Sequence, residues 1–260
     1  MVLNYASYLK LEQLLDLQEP RSNPREHDEM LFIVIHQVYE LWFKQLLHEV
    51  DRLNTQLSGG ELFAVLSTLK RFRMIMKTLV SQLDILETLT PISFKAFRDR
   101  LDTASGFQST QFRELEFVLG YKRPEVLRYI DPSWPGYSEV EKRLRAPSVI
   151  DHFYDFLETR KVSIPPHLRE VDPPRPVEPD ATLQARLLEH YKREPEMALL
   201  LELMMDVDEG LQEWRYRHVK VVERTIGSKR GTGGSPGVEY LKKSLFRPVF
   251  PDLWAIRHQL

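Results

Sequence analysis

The sequence predicts an all-α protein, a helical bundle carried as one domain over residues 1–260, and two observations lead there. Apolar residues recur at three- and four-residue spacing through most of the chain, and runs of alternating β-branched residues bounded by turn signals are missing. A chain of 260 residues, 42% of them hydrophobic, is also long enough to bury a large core.

The elements follow in order. From His27 to Leu57 the residues Leu31, Ile35, Val38, Trp42, Leu46 and Val50 trace one apolar stripe, which predicts a long amphipathic helix. Gly59-Gly60 marks a tight hairpin into a second helix from Glu61 to about Leu89. Pro91, behind the cap candidate Thr90, opens a short helix to about Leu101, and another runs from Gln108 to Leu119, stopped by Gly120. Two more fit Ser138 to Leu144 and Ser148 to Arg160. Six of the seventeen prolines fall between Pro165 and Pro179, so this stretch cannot continue a helix and is expected to run extended over the surface. Helical character resumes at Thr182 and is expected to run past Pro195 to about Ile226, which makes the proline segment a long loop within one domain. A glycine cluster from Gly227 to Gly237, a short amphipathic helix and the segment Phe250-Pro251-Asp252-Leu253 complete the chain.

Composition removes several function classes. Thirty-six Lys and Arg nearly balance thirty-eight Asp and Glu, so a net charge of -2 gives no long-range attraction to nucleic acid or to an anionic membrane. The chain has no cysteine, which excludes disulfides, iron–sulfur clusters, thiolate-ligated haem and cysteine nucleophiles. No apolar run approaches the roughly 20 residues needed to span a bilayer, and the N-terminus lacks a basic segment followed by an apolar one. A cytoplasmic protein without nucleic-acid or membrane partners is the expectation.

The eight histidines are the first candidates for metal chemistry. None forms a His-x-x-x-His pair and none has a Glu three residues before it, so the zinc-protease and di-iron patterns are absent. A single axial ligand to a cofactor is compatible, because haem needs one imidazole and gains the rest of its affinity from burial. His218 has Trp214, Val221, Val222 and Thr225 at helical spacing around it, which suits either an imidazole facing a buried ring or a core histidine. Arg215, Arg217, Lys220 and Arg224 nearby are within reach of propionates or form a solvated basic surface. His36 follows Phe32 by four residues, so phenyl and imidazole share a helix face; the imidazole suits an indole N–H or a backbone carbonyl equally. Arg98 stands between Phe94 and Leu101, where a guanidinium fork in an apolar wall fits an α-carboxylate, or else pairs with Asp99 or Asp102. The segment Gly227 to Gly237 holds five of the eleven glycines but matches neither the Walker nor the dinucleotide pattern. It is expected to pass close over a ligand, presenting backbone N–H groups and the Thr232 hydroxyl.

Four stretches in this order resemble the tryptophan 2,3-dioxygenase family: Tyr5-Ala6-Ser7-Tyr8-Leu9; His27-Asp28-Glu29-Met30-Leu31-Phe32-Ile33-Val34-Ile35-His36-Gln37 with Glu40-Leu41-Trp42-Phe43-Lys44; Phe97-Arg98-Asp99 with Ser105-Gly106-Phe107-Gln108-Ser109; and Trp214-Arg215-Tyr216-Arg217-His218 with Gly231-Thr232-Gly233-Gly234-Ser235. The resemblance implies a helical bundle enclosing a haem b, ferrous when active, with His218 as proximal iron ligand and Gly106 and Trp214 beside the cofactor. It implies that Phe32, Ile33, Val34, Ile35 and His36 form the indole wall, His36 being the catalytic candidate at the N–H. Arg98 would bind the carboxylate and Thr232 the amino-acid end of L-tryptophan. It further implies a homotetramer in which Tyr5, Tyr8 and Leu9 reach a neighbour's site. The sequence departs from many members at Phe94, where they carry a tyrosine whose hydroxyl assists at the carboxylate. The implied reaction adds both atoms of O2 across the indole C2–C3 bond to give N-formyl-L-kynurenine, opening tryptophan catabolism through the kynurenine pathway. The alternatives are a related monooxygenase acting on a substituted tryptophan and a haem-based tryptophan or gas sensor.

Overall fold

A computed structural model describes residues 2–169, 174–229, 231–232 and 237–260. Among the described residues there are twelve α-helices and no strand. Three long helices make the frame: α3 (His27–Ser58), α4 (Leu62–Leu86) and α10 (Pro195–Ile226). At 32 residues, α3 and α10 are each about 48 Å long. α3 and α4 fold back on each other through Gly60, whose φ of +69° is left-handed and suits glycine. α4 also packs along α10, with Gly210 facing Met76. A methyl group there would stand 3.3 Å from Cβ of Met76.

The shorter helices pack on this frame. α5 (Pro91–Arg98) starts as the sequence predicts, with the Thr90 hydroxyl accepting from the Ser93 N–H and Pro91 in the first turn. It ends at Arg98, three residues before the expected Leu101. α6 (Thr110–Val118) begins only after a 3-10 turn over Gly106–Gln108, capped by the Ser105 and Ser109 hydroxyls. α7 (Tyr137–Arg145) and α8 (Val149–Thr159) lie close to their expected bounds.

The helical stretch expected from Thr182 to Ile226 is interrupted once. It divides into α9 (Ala181–Arg193) and α10 because Pro195 has no N–H to donate and its ring drives Glu194 to an extended conformation, φ -120° and ψ 101°. The sequence also gave no warning of α1 (Tyr5–Leu9) and α2 (Leu11–Leu15), whose residues are exposed or half-buried, nor of the 3-10 turn over Pro124–Tyr129. Pro174 to Asp180 has no regular structure, in keeping with its prolines, and residues 170–173 lie outside the described residues.

α11 (Val238–Lys242) and α12 (Pro251–Ala255) return the chain to α10. Buried Asp208 holds that return: its carboxylate accepts from the backbone N–H groups of Val249 and Phe250 and from Nε1 of Trp254, at 2.9–3.1 Å. One apolar cluster runs from Ile35 on α3 to Ile256 near the C-terminus. No helix among the described residues is long and apolar enough to cross a membrane.

Candidate functional site

A cavity of about 240 Å3 opens between α3, α5, α6, α10 and α11. Each helix contributes the residues that its periodicity aims inward. On α3 these are Phe32, His36, Tyr39, Glu40 and Phe43, spaced by three and four. Three residues that the resemblance places on the indole wall, Ile33, Val34 and Ile35, are not among those that line this cavity. Successive residues of a helix turn by about 100°, which carries Ile33 and Val34 away from Phe32, while Ile35, three residues on, turns toward the core beside that face. Ile35 is buried in the core, Val34 is exposed, and none of the three lines the cavity.

Phe32 sits at the centre of an aromatic group, with ring centroids 4.1 Å from His36, 5.6 Å from Phe94 and 5.5 Å from Phe97. Nδ1 of His36 is 2.7 Å from the Phe32 carbonyl oxygen, which can only accept, so Nδ1 carries the proton and Nε2 keeps its lone pair. Burial lowers the His36 pKa, against the Phe32 carbonyl and Glu40, which pull it upward. The ring is therefore neutral at pH 7.

On α10, His218 and Trp214 are one turn apart with their rings stacked, 5.0 Å between centroids and 5° between planes. Burial, reinforced by the neighbouring His36 and Arg113, pushes the His218 pKa down to about 4. A second neutral imidazole thus faces the same cavity, with a lone pair available to a metal. Among the described residues no group of three or more His, Asp or Glu is placed to hold a metal ion by side chains alone. A metal held here by protein would rest on a single imidazole and whatever carries it.

Arg98, at the end of α5, lines the cavity, and so does Phe94, one turn before it. Thr232 lines it too, and its hydroxyl donates to the Ala104 carbonyl, joining the glycine segment to the loop before α6. Arg230 and residues 233–236 lie outside the described residues. Gly106 borders the cavity, and a Cβ built on it meets nothing within 4 Å. Tyr5, Tyr8 and Leu9 are exposed on α1 and do not line this chain's own cavity. Tyr240 of α11 closes another side, its ring edge-on to Phe107 at 5.0 Å and to Tyr129 at 5.9 Å.

One part of the lining was not foreseen. Arg113, Glu116, Arg123 and Arg215 form a buried charge cluster on the cavity wall. Oε2 of Glu116 accepts from Arg113 at 2.6 Å and from Arg123 at 2.7 Å, while Oε1 accepts from Arg215 at 3.2 Å. Burial alone would raise the Glu116 pKa; Arg123, Arg113 and Arg215 together bring it down to about 2. Of the four cations near His218 that the sequence offered, only Arg215 belongs here. Arg217 pairs with Asp84 and Glu87, Arg224 with Glu87, and Lys220 with Glu223. Opposite charges at i and i+3 on α6, Arg113 and Glu116, interleaved with Leu115 and Phe117, were the available signal.

The comparison with known proteins agrees with this arrangement. The family model described as tryptophan 2,3-dioxygenase matches residues 1–145 and 172–260. The chain is similar to proteins named tryptophan 2,3-dioxygenase from Herpetosiphon aurantiacus, 50% identical over 99% of this chain and 98% of the relative, and from Anaeromyxobacter dehalogenans, 52% identical over 99% and 96%. A relative of the same name from Pseudomonas fluorescens is 40% identical over 99% of this chain and 91% of its own length. With a helical cavity built from the motif residues, and a match that extends from end to end, the chain belongs to the tryptophan 2,3-dioxygenase family.

Proposed function

We propose that this chain is a haem-dependent dioxygenase that adds both atoms of O2 across the C2–C3 bond of L-tryptophan, giving N-formyl-L-kynurenine at the head of tryptophan catabolism. The name its relatives share supports the substrate and the reaction. The observation that carries the residue roles is the pair of neutral imidazoles, His36 and His218, on one largely apolar cavity with Arg98 in its wall.

Three features of the chain fit a haem b. His218 offers an unprotonated ring nitrogen, held in orientation by the parallel indole of Trp214. Gly106 leaves open space where any side chain would project. Arg113, Arg123 and Arg215 each carry a buried Nε without an acceptor among the described residues, suited to carboxylates. His218 would hold the iron, with Trp214 and Gly106 beside the macrocycle. Bound haem supplies the ferrous iron that activates O2 toward the indole.

The remaining work belongs to side chains. Phe32 packs on the indole, and Nε2 of His36 accepts its N–H, which fixes the ring's rotation without removing the proton. Arg98 pairs with the α-carboxylate and Thr232 meets the amino-acid end. Phe94 brings no hydroxyl, so the carboxylate relies on Arg98 more than it would beside a tyrosine. Tyr240 excludes water, and holding substrate and O2 in register supplies much of the acceleration. The exposed tyrosines of α1 support a homotetramer in which Tyr5, Tyr8 and Leu9 complete a neighbour's cavity. One domain with a continuous core and a cytoplasmic setting belong to the same reading.

Turnover of L-tryptophan under 18O2 tests it. Two labelled atoms in a ring-opened product are expected. A singly labelled product with the ring intact would assign the chain to monooxygenation, and binding without turnover would assign it to sensing.

A further inference from the structure

We propose that Glu29 and Gln37 of α3 are positioning residues that clamp the strap formed by residues 17–22, and that this clamp aims α1 at the neighbouring subunit's cavity. The inference rests on the shared-site reading of Tyr5, Tyr8 and Leu9 and adds to it the residues that hold the arm carrying them.

α1 and α2 need support from outside themselves. Each has five residues, too few to be stable in water alone, and neither contains a buried residue. Tyr5 is 74% exposed, Tyr8 70% and Leu15 72%. Such an arm goes where its root points it, and the root is bound to α3 at two places. At the first, Nε2 of Gln37 donates to the Leu17 carbonyl at 2.9 Å, and its Oε1 accepts from Nε2 of Gln18 at 2.7 Å. Gln18 also donates to the carbonyl of Leu14 in α2 at 3.0 Å, so this contact reaches the arm itself. At the second, Oε1 of Glu29 accepts from the Arg21 N–H at 2.7 Å, while Oε2 accepts from the Ser22 N–H at 3.0 Å and from the Ser22 hydroxyl. Ser22 and Glu29 are both buried. Burial would raise the Glu29 pKa, and the Ser22 hydroxyl with the Arg21 and Ser22 N–H groups overcomes it, so the carboxylate stays ionised and its bonds are charge-assisted.

The clamp leaves the strap little slack. Glu29 and Gln37 are eight residues apart on α3, about 12 Å along its axis, and the four residues from Gln18 to Ser22 cross that span in the opposite direction. Four fully extended residues reach about 13–14 Å, so the strap is drawn nearly straight. Glu29 also precedes His36 by seven residues, about two full turns, which sets it on the side of α3 that carries Phe32 and His36. The root of each arm is thereby fixed to the helix that bears this subunit's own indole wall, while its tip serves another subunit.

The test reads the arm across subunits. A chain lacking residues 1–9 is co-expressed with a full-length chain carrying Arg98→Leu, and mixed oligomers are isolated through a different affinity tag on each. The first chain has an intact cavity and no arm, and the second has an arm and a disabled cavity. Turnover of L-tryptophan above that of either chain alone therefore reports arms that complete a neighbour's site. Glu29→Gln placed in the Arg98→Leu chain should lower this turnover about tenfold, the effect of weakening a charged hydrogen bond, and Gln37→Ala in the same chain about threefold. Either change placed in the armless chain should leave turnover nearly unchanged. A merely structural clamp would lower turnover equally from either chain, and that outcome overturns the proposal. So does full turnover with both variants in the arm-bearing chain, which leaves the shared-site reading standing. Should Glu29→Gln fail to assemble, Gln37→Ala decides by the same comparison. No turnover from the unmutated pair refutes the shared-site reading and the clamp with it.

Discussion

Replacing Glu116 by Gln keeps the shape of the side chain and removes its charge. In the native protein this carboxylate accepts from three buried guanidiniums. After substitution three cations face a neutral amide, one of whose former acceptor positions is now an N–H donor. The cost follows from the carboxyl's titration. Burial pushes it up, the arginines overcome that, and the group titrates at about 2 where 4.5 is ordinary. That difference corresponds to about 3 kcal/mol of stability at neutral pH, at the lower end of the roughly 3–5 kcal/mol found on breaking a buried ion pair. For a chain of this size the melting temperature should fall by about 6–12 °C. Because the folded-state pKa is depressed, the contribution is complete above pH 4.5 and is lost as the pH falls through about 2. Urea unfolding of both proteins at matched cofactor content, at pH 7 and at steps down to about pH 3, reads the difference without adding salt. The gap should be widest at neutral pH and narrow on acidification. A gap below about 1 kcal/mol at pH 7, or one that widens toward acid, would refute the account of how Glu116 holds its arginines.

Other changes probe the site. His218→Ala should lose most bound haem, since burial alone would then retain it; an unchanged Soret band and full haem content would remove His218 from the iron. Arg98→Leu should keep haem and fold while kcat/KM for L-tryptophan falls by about 30-fold or more, the loss of a charged contact of roughly 2–5 kcal/mol, and an unchanged kcat/KM would put the carboxylate elsewhere. His36→Ala should reduce kcat without abolishing it. Since burial holds His36 below its ordinary 6.5, the intact enzyme's kcat/KM should not fall off between about pH 8 and pH 6.5, and an acid limb in that interval that vanishes with His36 would contradict its neutral role. Deleting residues 1–9 should leave haem bound and impair turnover, with light scattering reporting a tetramer for the intact chain; a fully active monomer would exclude a shared site.

Much of the frame was legible because its signals are local. The α3 stripe, the Gly59-Gly60 turn and the Thr90-Pro91 start each depend on neighbouring residues, and each stands where the sequence puts it. Pro195 was equally visible, and its missing N–H is a local reason for the break between α9 and α10. His36, His218 and Arg98 were found by type and spacing and are brought by the fold to one cavity, whereas Ile33 to Ile35, taken as a contiguous block, do not line it. The charge cluster was illegible for a different reason. Glu116 and Arg215 are 99 residues apart, and only the packing of α6 near α10 joins them. Likewise Tyr39 and Phe43 repeat the His36 periodicity, but which face of α3 meets a cavity and which meets α4 is a tertiary fact.

The narrow approach of α10 to α4 makes two positions genetically dependent. His218 lies eight residues beyond Gly210 on the same helix, about 12 Å along its axis, so a shift of α10 at Gly210 would carry the imidazole with it. Alanine at 210 would press on Met76 and force the helices apart by a few tenths of an ångström unless Met76 yields. A larger residue at 210 is therefore expected to call for a smaller one at 76. Libraries that vary 76 and 210 together should therefore recover active pairs that single-site libraries reject, even though neither residue touches substrate.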